Sequence, residues 1–73
     1  MKSVDLIKEK HRLAGKLYQA RNELGLKQID LQNEGLISQS HLSKIENAEI
    51  NVSAIMLSRL AKRYGKELSY FFE

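Results

Sequence analysis

The stretch Gln28-Ile29-Asp30-Leu31-Gln32-Asn33-Glu34-Gly35-Leu36-Ile37-Ser38-Gln39-Ser40-His41-Leu42-Ser43-Lys44-Ile45-Glu46 decides the fold. Its apolar residues are spaced for helix faces and do not alternate as a strand would. The spacing predicts a helix from about Gln28 to Gly35 that buries Ile29 and Leu31. A tight turn at Gly35-Leu36-Ile37 follows, and the hydroxyl of Ser38 can accept from a free N–H of the next helical turn. A second helix then runs from Gln39 to Glu46 with Leu42 and Ile45 facing inward. Two short helices joined by so short a turn must cross one another, and each buries only one narrow face. The rest of the chain has to supply the core.

Upstream, Ser3 to Leu24 carries an apolar line at Leu6, Leu13, Leu17, Ala20 and Leu24, at intervals of three, four or seven. It reads as one long helix, or as a short helix followed by a core one with a break at Gly15, and Gly25 supplies a left-handed C-cap. Downstream, a loop from Asn47 to Val52 leads to Ser53, which caps a helix placing Ala54, Leu57, Leu60, Ala61 and Tyr64 on one side until Gly65 stops it. A final turn from Glu67 carries Leu68, Phe71 and Phe72. The expectation is an all-α, compact five-helix bundle in a single unit.

Composition narrows the function classes. The 73 residues contain no cysteine and no proline, which removes disulfides and thiolate metal sites and favours an intracellular compartment. No apolar run reaches the length of a membrane span or a signal-peptide core, so a soluble, cytoplasmic protein is expected. With His11 and His41 as the two histidines, a zinc site is not supported. No nucleophile and base stand at motif spacing and no glycine-rich phosphate loop is present, so no enzyme and no cofactor are expected. The net charge is +3. Residues 1–27 hold Lys2, Lys8, Lys10, Arg12, Lys16, Arg21 and Lys27 against Asp5, Glu9 and Glu23, and a second basic cluster is Arg59, Lys62, Arg63 and Lys66. Such a balance is compatible with nucleic acid, and equally with solvated helix faces.

The spacing is more specific than the charge. Arg21, Gly25-Leu26, Gln28, Leu31, Ile37-Ser38, Leu42-Ser43-Lys44-Ile45-Glu46, Asn51, Ser53, Leu57, Leu60-Ala61-Lys62, Gly65, Leu68 and Phe71-Phe72 fall where a known pattern has them. From Arg21 to Phe72, without a gap, the chain resembles the phage repressor/Cro-type (XRE) helix-turn-helix family. The resemblance covers roughly residues 13–72, and the run Leu42 to Glu46 is its most specific part. It implies a lambda-repressor-like DNA-binding domain at 13–73, preceded by an N-terminal helical extension at 1–12. It also implies double-stranded DNA as partner, a homodimer and a palindromic operator.

Roles follow residue by residue. Gln28 matches a glutamine that contacts a DNA phosphate at a helix start, where free N–H groups favour an anion. Ser38, Gln39, Ser40, His41, Ser43, Lys44 and Asn47 match positions on or flanking the base-facing side of the recognition helix. Gln39 leads them, because a carboxamide can donate and accept at once, as adenine N6 and N7 require. Arg21 and Glu46 match a structural ion pair between the first and third helices. Three positions depart from the pattern: Gln32 stands where the family has alanine, Leu36 where it has glycine, and Ala48 where it has glycine. Gly35 or Asn47 is expected to take the left-handed conformation the turns need.

Ile55, Met56 and Tyr70 are apolar or aromatic beyond the pattern, and suit either a second copy of the chain or packing on residues 1–12. Both a complete small repressor and the N-terminal part of a larger regulator with a C-terminal sensor domain fit the resemblance. The competing reading is a protein-interaction module on the same fold, antirepressor- or antitoxin-like, since Gln39 to Glu46 contains no arginine.

Overall fold

The computed structural model describes the backbone of residues 3–73 and the side chains of residues 7–73. Among these the chain forms four α-helices, α1 (Ser3–Glu23), α2 (Gln28–Asn33), α3 (Gln39–Glu46) and α4 (Ala54–Tyr64), and a closing 3₁₀ turn at Leu68–Phe72. The expected fifth helix is that turn: it is too short for an α-helix, and Tyr70 N–H donates to the Glu67 carbonyl at 3.1 Å in the i→i+3 pattern. The break expected at Gly15 is absent, and α1 runs unbroken through it. Glycine lowers helix stability but, unlike proline, removes no backbone donor. Part of the predicted extension, Met1 and Lys2, lies outside the described residues, as does the side chain of Leu6. Among the described residues no helix is long and apolar enough to cross a membrane.

The core draws on every element: Leu17 and Ala20 of α1, Leu31 of α2, Leu42 and Ile45 of α3, Leu57, Leu60, Ala61 and Tyr64 of α4, and Phe71 of the 3₁₀ turn. Ile37, in the turn between α2 and α3, is buried with them. Several expected core residues sit elsewhere. Leu24 is half exposed because α1 stops at Glu23, Ala54 is exposed on the first turn of α4, and Ile29 is only partly buried. Leu68 and Phe72 face outward while Phe71 turns in. Met56 and Tyr70 pack against the core, whereas Ile55 stays exposed. Tyr70 does so against Lys16 and Lys66, whose ammonium groups lie 4.6 and 4.5 Å from its ring centroid.

All four helices end the same way. The amides of Leu26, Leu36, Glu49 and Lys66 each donate to the carbonyl five residues earlier, at 3.3, 3.0, 2.9 and 2.9 Å. This closure needs a left-handed residue just before the donor. Glycine fills that place at 25, 35 and 65. At the end of α3 it is filled by Ala48, with φ +59°, while Asn47 remains at φ −90°. Of the two residues expected to turn left-handed, Gly35 does so and Asn47 does not. The closure after α3 falls one place later, on a residue that carries a Cβ and is strained there. For the same reason α2 stops at Asn33: Glu34 and Gly35 belong to the turn that closes it.

Candidate nucleic-acid interface

Helix α3 buries Leu42 and Ile45 and turns a polar face outward. At 3.6 residues per turn, Ser40, Ser43, Lys44 and Asn47 fall on the side opposite the buried pair, while Gln39, in the first turn three residues before Leu42, and His41 flank it. Gln39, Ser40, His41, Lys44 and Asn47 are exposed and Ser43 is partly buried. The Ser38 hydroxyl accepts from His41 N–H at 3.1 Å, as a cap should, and stays exposed at the head of the helix. Asn47 Nδ2 leans back toward Ser43 Oγ at 3.4 Å. The structure thus brings the predicted set Ser38, Gln39, Ser40, His41, Ser43, Lys44 and Asn47 onto one helix and its two ends.

Gln28 stands apart from that set. Its Nε2 donates to Glu46 Oε1 at 3.0 Å, so the carboxamide nitrogen is engaged inside the protein. The same carboxylate receives Arg21 Nε at Oε2 and Nη2 at Oε1, both at 2.8 Å, a parallel pair of charge-assisted bonds. The third guanidinium nitrogen, Nη1, donates to the Leu26 carbonyl at 2.6 Å. The side chains of Arg21 and Glu46 are only 8% and 3% exposed, which makes these bonds the condition for burying either charge. Hydrogen bonding to Glu46 raises the Arg21 pKa against the opposing effect of burial, so the guanidinium stays charged. One carboxylate at the end of α3 therefore fastens α1 and the start of α2, and Arg21 ties in the loop between them. This network fixes the angle at which α3 is presented.

Two contacts in the frame of the motif have no counterpart in the sequence reading. Gln32 Oε1 accepts from Gln39 N–H at 2.8 Å, so a side chain of α2 satisfies a free donor at the start of α3. This gives Gln32 a task that the alanine of the family pattern could not perform. Arg63 of α4 grips Glu34, just past α2, through Nε and Nη2 at 2.7 and 2.8 Å. That pair is exposed, and hydrogen bonding to Arg63 lowers the Glu34 pKa.

A family model described as Helix-turn-helix matches residues 17–71, which takes in α2, α3, α4 and most of the core. No curated protein and no solved structure matches the chain. The matched span contains the two short helices, the turn between them, the Ser38 cap and the Arg21–Glu46 pair, and on these grounds the chain belongs to the phage repressor/Cro-type (XRE) helix-turn-helix family of DNA-binding regulators.

Proposed function

We propose that this chain is the sequence-reading unit of a transcription regulator, a repressor, that binds double-stranded DNA with α3 in the major groove. The observation that carries the reading is the exposed polar face of α3, mounted on a buried ion-pair network and capped at its head by Ser38 and Gln32. A face held this firmly can discriminate, because the positions of its donors and acceptors do not relax toward the wrong base. Gln39 and Ser40 in the first turn read base edges, Ser43 allows close approach, and Lys44, Asn47 and the exposed His41 reach flanking groups or phosphates. Gln28 acts here through its backbone amide and through Glu46, since its side-chain nitrogen is already engaged.

One short helix covers only a few base pairs, so the proposal includes a homodimer on a palindromic operator. The exposed Ile55, and Phe72 at 65% exposure, are surfaces available to a second copy. Residues 1–12 are assigned as the N-terminal helical extension and 13–73 as the DNA-binding domain, which functions alone or joined to a sensor domain.

A protein-interaction role on the same fold is the second reading. One observation favours it: Lys44 is the sole Lys or Arg on α3. A salt titration of duplex binding separates the two. DNA binding through several phosphates weakens steeply and log-linearly as salt rises, whereas absence of salt-sensitive binding at low ionic strength supports the partner-binding role.

A further inference from the structure

Three of the four glycines close helices, and Gly15 does not. It sits in the middle of α1, exposed, and a Cβ placed on it would meet nothing within 4 Å. Neither packing nor backbone conformation accounts for it there, and glycine inside a helix is destabilising relative to alanine. What the missing side chain does leave is a recess. An open depression of about 520 Å³ surrounds the position, lined by His11, Ala14, Gly15, Tyr18, Glu46 and Asn47. It therefore joins the middle of α1 to the last turn of α3.

The polar groups on the walls of this recess are His11, Tyr18 and Asn47, and further donors flank it along the same helix face. The residues that share the Gly15 face of α1, at three, four and seven places on either side, are Lys8, His11, Arg12, Tyr18, Gln19 and Asn22, with no carboxylate among them. All six are exposed. The one carboxylate in the recess, Glu46, has its oxygens occupied by Arg21 and Gln28. The Arg21 guanidinium, which neutralises that carboxylate, lies 5.4 Å from the Tyr18 ring centroid and backs that wall.

We propose that this recess seats the sugar-phosphate backbone of duplex DNA beyond the base pairs read by α3, with Gly15 allowing close approach and His11, Tyr18 and Asn47 as its polar walls. The inference rests on the DNA-reading function proposed above and extends the interface from α3 onto α1. A duplex whose major groove holds α3 carries a backbone strand past the end of that helix, where Asn47 and the recess lie together.

The test fills the recess without harming the fold. Gly15→Leu is measured against the native chain on the best duplex recovered from a random library, with thermal melting of each protein and ethylation interference on the phosphates. Leucine is a better helix former than glycine and has open space to enter, so Gly15→Leu should melt at the same or a higher temperature. Its duplex affinity should nevertheless fall at least tenfold, and one flanking phosphate whose ethylation blocks the native chain should lose its effect. Stability and binding thus move in opposite directions, which a purely structural role cannot produce. Equal affinity and an unchanged interference pattern in Gly15→Leu would overturn the inference and leave the α3 reading intact. If the native chain selects no duplex at all, both readings fall together.

Discussion

Replacing Glu46 by alanine removes the acceptor for two 2.8 Å bonds from Arg21 and one of 3.0 Å from Gln28. It leaves Arg21, only 8% exposed along its side chain, with the Leu26 carbonyl as its remaining partner. Stranding one member of a buried pair costs about 3–5 kcal/mol. Domains carry about 0.05–0.15 kcal/mol of stability per residue, so this chain should have roughly 4–11 kcal/mol in all. The change therefore consumes about a quarter or more of the total. In urea, with a slope of about 1 kcal/mol per M for so small a domain, the midpoint should fall by about 3–5 M at unchanged slope. The double variant Arg21→Met with Glu46→Leu removes both charges and should recover most of the loss, because apolar residues of similar volume replace buried pairs at little cost. Circular dichroism at 222 nm reports both transitions. A loss below about 1 kcal/mol in Glu46→Ala would refute the argument, since that is the range of exposed pairs. So would a double variant as unstable as the sum of the singles.

Ala48→Gly relieves a left-handed alanine, worth about 1–2 kcal/mol, at an entropic cost of about 0.5–1 kcal/mol in the unfolded chain. The net gain of about 0.5–1 kcal/mol should raise Tm by several degrees, and a lowered Tm would show that the turn after α3 is not strained. Gln32→Ala removes the acceptor for Gln39 N–H and should cost about 0.5–1.5 kcal/mol; an unchanged melting curve would mean that water serves that donor equally well. The Glu34–Arg63 pair sets a pH dependence. Because the Glu34 pKa is lowered in the folded state, its stabilisation is present above the ordinary value of 4.5 and is lost as pH falls through the lower folded value. Glu34→Gln should therefore flatten the acid limb of the Tm profile at low salt, and a limb identical to the native one would remove the pair from the account.

Local chemistry made most of the frame legible in the sequence. Ser38 and Ser53 announce helix starts because a hydroxyl there satisfies a free amide, and Gly25 and Gly65 announce ends because glycine turns left-handed without strain. Ser40, Lys44 and Asn47 could be placed on one face because helical spacing is enough to separate them from Leu42 and Ile45, and Gln39 stands at the edge of that face in the first turn. What stayed hidden depends on how helices cross. Nothing local tells Gln28 to bond Glu46, Gln32 to cap α3, or Arg63 to reach Glu34, since each partner is brought close only by packing of the core. Ala48 was hidden for the opposite reason: alanine is a strong helix former and gives no sign of a forced left-handed turn. Gly15 misled as well, because a helix-interior glycine looks like a break until its surroundings are seen.

The central claim is that the outward face of α3 reads base pairs. Selection of bound duplexes from a random library, run with the native chain and with Gln39→Ala, tests it most directly. The native chain should yield a two-fold symmetric consensus. Gln39→Ala should keep the same half-site spacing, with preference relaxed by about 1–3 kcal/mol at one position per half-site. No enrichment by the native chain, or an identical consensus from both proteins, would contradict that claim.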